Sequence, residues 1–392
     1  MTSIAVSLEQ HFVEYRGGIY TDIAFAYPYW REYLEIFEEV YPIARVRSVD
    51  ILPEGWQRAD GEKVHFIRIT DYRGFWDFLR KMSKVVLDCR RATRYDTCYL
   101  FRGGTTGTIC SFFLRVAHRP YAVEIVGHAS ESVVMLKNLQ FFGLARIIGY
   151  ICQKIAIYRV RKAVCASYTS CYLKRLYPTK TSTNEWVFSS VRLDKSVILG
   201  PKHTEQFNAK PFTIVSVGRV EPEKGHIVLI HAVEQLVHSG YNISLTIIGP
   251  GSEIDNLRKY VSEHGLSQQV TIYGPVPWGP DLFAEIDKAC IFVLPSFTEG
   301  MPRALIEAMA RGLPAIGSDV GGIKELLSEK YLVPPKDSKA IAAKIAEMID
   351  DIPRLTMASN ENFQKALEYR PEIMNQRKLA FWKCIKDTCR SK

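Results

Sequence analysis

A chain of 392 residues is too long for one ordinary core, so two domains of roughly 150 to 200 residues each are expected. Hydrophobic residues at 47% and charged residues at 24% exclude disorder, collagen-like repeats and a multi-span membrane protein. The net charge of +9 lies wholly in the first half: residues 1–200 hold 28 Lys and Arg against 19 Asp and Glu, while residues 201–392 hold 23 of each.

Short apolar runs alternate with longer stretches of helical period, the pattern of parallel sheets with crossover helices. In the first half the strands are predicted at 3–7, 43–49, 64–69, 97–101, 121–126 and 163–166. The strand at 97–101 ends in Arg102-Gly103-Gly104, followed by Thr105, Thr106 and a helical run to His118. A strand, a glycine turn and a hydroxyl-rich helix start let backbone approach a ligand, and these residues are the candidate acceptor contacts. The glycines alone would equally serve only to make the turn.

No acidic residue occurs between Glu131 and Glu185, a stretch holding Lys137, Arg146, Lys154, Arg159, Arg161, Lys162, Lys174, Arg175 and Lys180. Such a field attracts anions, whether lipid headgroups, acidic acceptors or nucleic acid, and it also fits a solvated basic face. The apolar run 141–158 contains Arg146 and Lys154, which argues against a transmembrane span. Residues 132–162 are expected to form a basic amphipathic helix that either lies on an anionic membrane or charged acceptor or packs into the core.

Nine cysteines cannot all pair, and runs such as Val164-Cys165-Ala166 are apolar, so they read as reduced thiols in a cytoplasmic chain. Residues 1–10 carry no basic segment leading into an apolar one, which does not support secretion. The localisation expected is cytoplasmic, with the inner face of the membrane as the place where the basic half would act.

After a polar stretch at 199–210, strands are predicted at 211–217, 242–248, 270–273, 289–294, 313–317 and 331–333. The resulting division is one α/β domain over 1–205, a second over 206–370 and a helix over 371–392 that crosses back to the first domain. Two such α/β units in series would face a cleft, with ligands outside the carboxyl ends of their strands.

The densest chemistry lies in 291–322. A buried strand ends near Leu294, a loop carries Glu299 and Gly300, Pro302 is placed as the first helical residue and Gly312 ends the helix. Glu307, five residues past Pro302, lies about 7.5 Å further along the axis. Two carboxylates thus bracket a helix start whose amides suit a diphosphate, while the carboxylates accept hydrogen bonds from hydroxyls. The balancing positive charge is in Gly218-Arg219 to Lys224-Gly225, where a guanidinium and an ammonium would stabilise a departing phosphate. By itself that loop reads equally as surface charge.

Together, Gly218-Arg219 with Glu223-Lys224-Gly225, the Gly249-Pro250-Gly251 turn, Pro295-Ser296 with Glu299-Gly300, the Glu299 and Glu307 spacing, and Gly321-Gly322 with Glu325 resemble retaining GT-B glycosyltransferases of family 4. More weakly, Tyr15-Arg16-Gly17-Gly18 resembles that family's glycine loop. The resemblance implies two Rossmann-like doubly wound domains facing a cleft, and sugar transfer from a nucleoside diphosphate sugar to a glycan, lipid or small-molecule acceptor. It implies that Arg219 and Lys224 hold the donor diphosphate, with amides of Gly17, Gly18 and Gly218 and the Gly249 turn nearby. Glu299 would take hydroxyls of the transferred sugar beside the amides of Gly300, Met301 and Pro302's loop, and Glu307 would take the ribose. His128 occupies the place of a histidine near the donor sugar, although a lone histidine at a strand end is also an ordinary structural residue. No general base is evident, in keeping with a same-face mechanism.

No D-x-D, P-loop, G-x-S-x-G or complete G-x-G-x-x-G occurs, so neither a metal nor another cofactor is expected. Two rivals remain in other classes. A sugar-nucleotide epimerase would share the two-domain architecture, and a nucleic-acid-binding protein would use the basic half with Phe141, Phe142, Tyr150 and Tyr158, whose helical spacing also suits a core.

Overall fold

The computed structural model describes residues 2–22, 24–128, 144–180, 184–191, 193–208 and 210–390. They fall into two units. The first contains residues 1–169, 173–187 and 376–392, and the second contains 170–172 and 188–375.

The first unit holds β1 (Ser3–Tyr15), β2 (Gly18–Thr21), α1 (Tyr27–Leu34), β3 (Glu39–Ser48), β4 (Gln57–Arg58), β5 (Ile67–Thr70), α2 (Gly74–Ala92) and β6 (Cys98–Arg102). There follow α3 (Thr105–Val116), β7 (Ala122–Ile125), α4 (Leu144–Lys162), β8 (Cys165–Tyr168), α5 (Cys171–Leu176) and β9 (Glu185–Val187). Residues 129–143 of the expected basic helix lie outside the described residues, as do Lys137, Phe141 and Phe142. The parallel strands run β5-β3-β1-β6-β7-β8-β9. Apolar residues on both faces of these strands, among them Val6, Leu100, Val123 and Ala166, are fully buried, as a sheet covered by helices on both sides requires.

β1 is longer than the five residues expected. Its parallel register with β6 ends at Ser7 opposite Phe101, and its register with β3 shifts between Ser7 and His11, a bulge that carries the strand on to Tyr15. There it turns into β2 through Arg16 (φ 48°) and Gly17 (φ 80°), two positive φ angles in a two-residue hairpin connection. The glycine loop expected at 15–18 is therefore corrected to a hairpin turn. Phe12 and Val13 are fully buried beyond the bulge, so the strand continues.

The second unit holds β10 (Phe212–Val217), α6 (His226–His238), β11 (Ile243–Ile248), α7 (Ile254–Glu263), β12 (Val270–Gly274), α8 (Pro280–Asp287) and β13 (Ile291–Leu294). It continues with α9 (Arg303–Ala310), β14 (Ala315–Ser318), α10 (Ile323–Leu326), β15 (Leu332–Val333), α11 (Ser338–Ile349) and α12 (Ile352–Ala366). All strands are parallel, in the order β12-β11-β10-β13-β14-β15. The chain enters this unit at Phe188, not near residue 205. The described residues of 188–208 contain no strand, but Val191, Leu193, Val197 and Phe207 are buried in the second core.

The final helix, α13 (Pro371–Arg390), belongs to the first unit from Gln376 onward. Trp382 stacks on Tyr33 of α1 at 4.2 Å between ring centroids, Lys378 reaches Glu32 at 2.7 Å, and Phe381 is fully buried.

Candidate active site

Each parallel sheet is built outward in one direction and then returns to its starting strand to build in the other. Such a reversal opens a crevice at the carboxyl ends of the two strands it separates, where ligands settle in open α/β sheets. In the second unit the reversal lies between β10 and β13. The loop after β10 is 218–225 and the loop after β13 is 295–302, so the tertiary fold brings together the two segments singled out in the sequence.

Lys224 Nζ lies 2.5 Å from Glu299 Oε1 across that crevice. Ser296 Oγ donates to the same oxygen at 2.8 Å, and the amide of Phe297 donates to the carbonyl of Glu223 at 2.8 Å, stitching the loops together. Both charged side chains are largely enclosed, with 17% of Lys224 and 9% of Glu299 exposed, so the pair is weakly screened and well fixed. Glu299 keeps a second carboxylate oxygen with capacity to accept from a hydroxyl.

Backbone packing sets this position. Gly321, at φ 49°, and Gly322 lie against the carbonyls of Glu299 and Gly300, and any Cβ at Gly321 would overlap the Glu299 carbonyl oxygen. Gly322 N donates to Glu299 O at 3.2 Å. Gly249, at φ 148°, packs in the same way on the carbonyl of Gly218, which fixes the base of the 218–225 loop.

Arg219 stands at the rim: its Nη2 is 2.9 Å from Glu223 Oε1 and the side chain is 63% exposed. Pro302 precedes α9 as its cap in extended conformation (ψ 104°), one position earlier than expected, and the helix opens at Arg303. Met301 is half-buried beside it. Glu307 is buried in the first turns of α9 and accepts a hydrogen bond from Trp278 Nε1 at 3.2 Å. Burial pushes its carboxyl above the ordinary range, against the Trp278 hydrogen bond and the charge of Arg303. His226, the first residue of α6, has its imidazole pushed down to about 4 by burial, with Lys224 adding to the effect and the Arg219 backbone opposing it.

The remaining candidates lie in the first unit, whose own reversal falls between β1 and β6. Gly103 and Gly104 form the turn after β6 as expected, but Arg102 points into an ion pair. Its Nη2 is 3.1 Å from Glu124 Oε1 and its Nη1 donates to Tyr29 at 3.2 Å. Glu9, in the β1 bulge, accepts from the Thr106 amide at 2.8 Å and fills the space a Gly104 side chain would need. His128 Nδ1 lies 3.2 Å from the Tyr177 hydroxyl, and burial lowers the pKa of its imidazole. Gly17 and Gly18 belong to the hairpin turn.

Trp278, His226 and Glu9 were not singled out from the sequence. Ser296 sat within a quoted motif, but nothing in the spacing marked its hydroxyl as a partner of Glu299. The apolar neighbours of His226 gave the one legible sign that this histidine is buried.

Residues 202–365 match the family described as Glycosyl transferases group 1. The second unit of the chain is thus similar to the group 1 glycosyltransferases. Protein CapJ of Staphylococcus aureus is 28% identical over 92% of this chain and 88% of its own length. The putative colanic acid biosynthesis glycosyltransferase WcaL of Salmonella typhimurium is 36% identical over 35% of this chain and 36% of its own. Sucrose-phosphate synthase from Thermosynechococcus elongatus shares the fold with a TM-score of 0.71 at 16% identity, over 99% of this chain and all of that one. Anabaena HepE, solved with UDP and glucose, does so with a TM-score of 0.64 at 16% identity, over 98% and 100%. The two Rossmann-like parallel-sheet units of this chain are those of the GT-B architecture.

Proposed function

We propose that this chain is a glycosyltransferase that moves a sugar from a nucleoside diphosphate sugar to a saccharide acceptor of a surface polysaccharide, with retention at the anomeric carbon and without a metal. The observation that carries the reading is the Lys224–Glu299 pair at the β10/β13 reversal. It sets a cation for a diphosphate next to a carboxylate for sugar hydroxyls, at the place where the fold receives a ligand. The relatives named for colanic acid biosynthesis support a polysaccharide acceptor.

In the reaction the bond from the anomeric carbon to the diphosphate oxygen breaks as the acceptor oxygen bonds to the same face. The acceptor's hydroxyl proton passes to the departing phosphate. Lys224 and Arg219 stabilise the negative charge that grows on that phosphate, and their fixed charge supplies what a metal ion supplies elsewhere. Glu299 orients the sugar through its hydroxyls, and Glu307, presented from α9, accepts from the ribose. The epimerase reading has no support among the relatives, since those named for an activity are glycosyltransferases.

Incubation with UDP-, GDP-, ADP- and TDP-sugars and a polysaccharide fragment tests the proposal. Free nucleoside diphosphate is expected only when acceptor is present. Product anomeric configuration by NMR should match the donor's, and activity should survive EDTA. An epimerised donor, an inverted product or loss of activity in EDTA would each remove the corresponding part.

A further inference from the structure

The first unit carries an apolar, basic surface that sugar transfer does not use. The connections β5 to β6, β6 to β7 and β7 to β8 all advance in the same direction across the sheet. Right-handed crossovers therefore put α2, α3 and α4 side by side on one face. A helix covering a sheet ordinarily turns its polar side outward. These three do not.

On α4 the outward residues recur at helical spacing, and five of them are Ile147, Tyr150, Ile151, Ile155 and Tyr158, with Ile147 and Tyr150 each 59% exposed. Lys154, Arg161 and Lys162 share that stripe. On α3, Phe112 and Val116 are exposed, and Arg115 lies 4.3 Å from the Tyr158 ring of α4, joining the two helices into one surface. On α2, Trp76 is 74% exposed and Leu79 is exposed beside it. The three helices contain eleven Lys and Arg against two acidic residues, Asp77 and Asp88. Their difference of nine equals the net charge of the chain, and of their described basic side chains only Arg159 is buried.

We infer that this three-helix face seats the protein on an anionic lipid bilayer. Exposed apolar surface spread over three helices calls for a partner. Basic side chains interleaved with aromatic ones call for one that is negative at its surface and apolar just beneath. The ammonium groups of Lys154 and Lys162 lie over the Tyr150 and Tyr158 rings at 5.0 and 5.9 Å. Lysines held in this way keep their charge at headgroup level while the rings sink toward the acyl chains. The inference is independent of the donor site, because vesicle binding needs no sugar nucleotide.

Sedimentation of the full chain with vesicles tests it. Phosphatidylcholine vesicles containing about one third phosphatidylglycerol should retain at least roughly tenfold more protein than phosphatidylcholine alone, with release as salt rises toward about 0.5 M. Two surface variants, Ile147→Ser with Ile151→Ser, and Lys154→Gln with Arg161→Gln and Lys162→Gln, should each lower retention about tenfold or more. Their circular dichroism and melting midpoint should stay unchanged, since the substituted side chains face solvent. Equal retention by both vesicle types, no retention by either, or variants that bind like the natural chain would overturn the inference. So would sedimentation velocity showing a dimer that the Ile147→Ser, Ile151→Ser variant abolishes, because the face would then seat a second copy.

Discussion

Lys224 and Glu299 meet at 2.5 Å although 75 residues separate them in the sequence. Neither residue's loop could hold the contact alone. β10 and β13 are adjacent because the sheet reverses between them, and the glycines at 321 and 322 press the Glu299 loop into place. The pair fixes a carboxylate and an ammonium before any ligand arrives, so little reorganisation is left for the reaction itself.

Replacing either charge assigned to the donor in this proposal should slow chemistry more than it weakens binding. Glu299→Ala and Arg219→Ala are each expected to lower turnover about a hundredfold or more, the loss typical of one transition-state electrostatic partner. Steady-state kinetics with the identified donor would check this, and near-normal turnover in either variant would remove that residue from its role.

Glu307 is held with its pKa raised, mainly by burial. A carboxyl whose pKa is higher in the folded chain stabilises the fold below its unfolded value. That contribution is lost as pH rises from about 4.5 through the folded value. Glu307→Gln removes the ionisation, so the variant should be at least as stable as the natural chain at pH 7 while binding donor more weakly. Urea unfolding at pH 4 and pH 7, paired with donor titration, reads both quantities. A variant that is less stable at pH 7 contradicts the burial argument.

The His226 imidazole has the opposite sign of effect. It titrates near 4 when folded, chiefly because it is buried, against about 6.5 when unfolded. Between those values the unfolded chain binds a proton that the folded one does not. Stability should therefore fall as pH drops from 6.5 toward 4, by about 3 kcal/mol in all. Denaturant midpoints across that range should slope less steeply for His226→Gln. Identical slopes for the two chains would show that other groups set the acid response.

At Gly321 the positive φ of 49° and the absent Cβ act together. Gly321→Ala forces a strained backbone and a collision with the Glu299 carbonyl, and a loss of about 1–3 kcal/mol is expected. Since the displaced backbone carries Glu299, turnover should fall as well. Thermal melting and activity on the same sample test whether stability and catalysis move together.

Within the first unit, Trp382 from the last helix stacks on Tyr33 and is almost fully buried. Trp382→Ala should cost about 3–5 kcal/mol, as large aromatic truncations in a core do. Calorimetry would show the transition of the first unit falling by several degrees. An unchanged transition would mean that the helix contributes little to that core.

The sequence by itself determined the class of fold and most of its strands. Apolar runs bounded by glycine and proline are a local property of the chain, and so are the motifs at 218–225 and 295–302. It also determined the charge asymmetry, because counting residues requires no coordinates. What it did not determine were distances. The hairpin at Arg16 and Gly17 replaced an expected loop because the bulge at 8–10 lets β1 run past the end of its register with β6. The start of the second unit moved to Phe188 because burial of Val191, Leu193 and Val197, not the presence of a strand, decides where a core begins. Arg102, a candidate contact by its place beside two glycines, is committed to Glu124, a partner 22 residues further along the chain. The outward apolar stripe of α4 has the same composition as a core stripe, and only the packing of α3 against one side of it shows which way it faces. Local pattern fixes what each segment becomes, whereas the pairing of segments distant in sequence is settled by how the whole sheet closes its core.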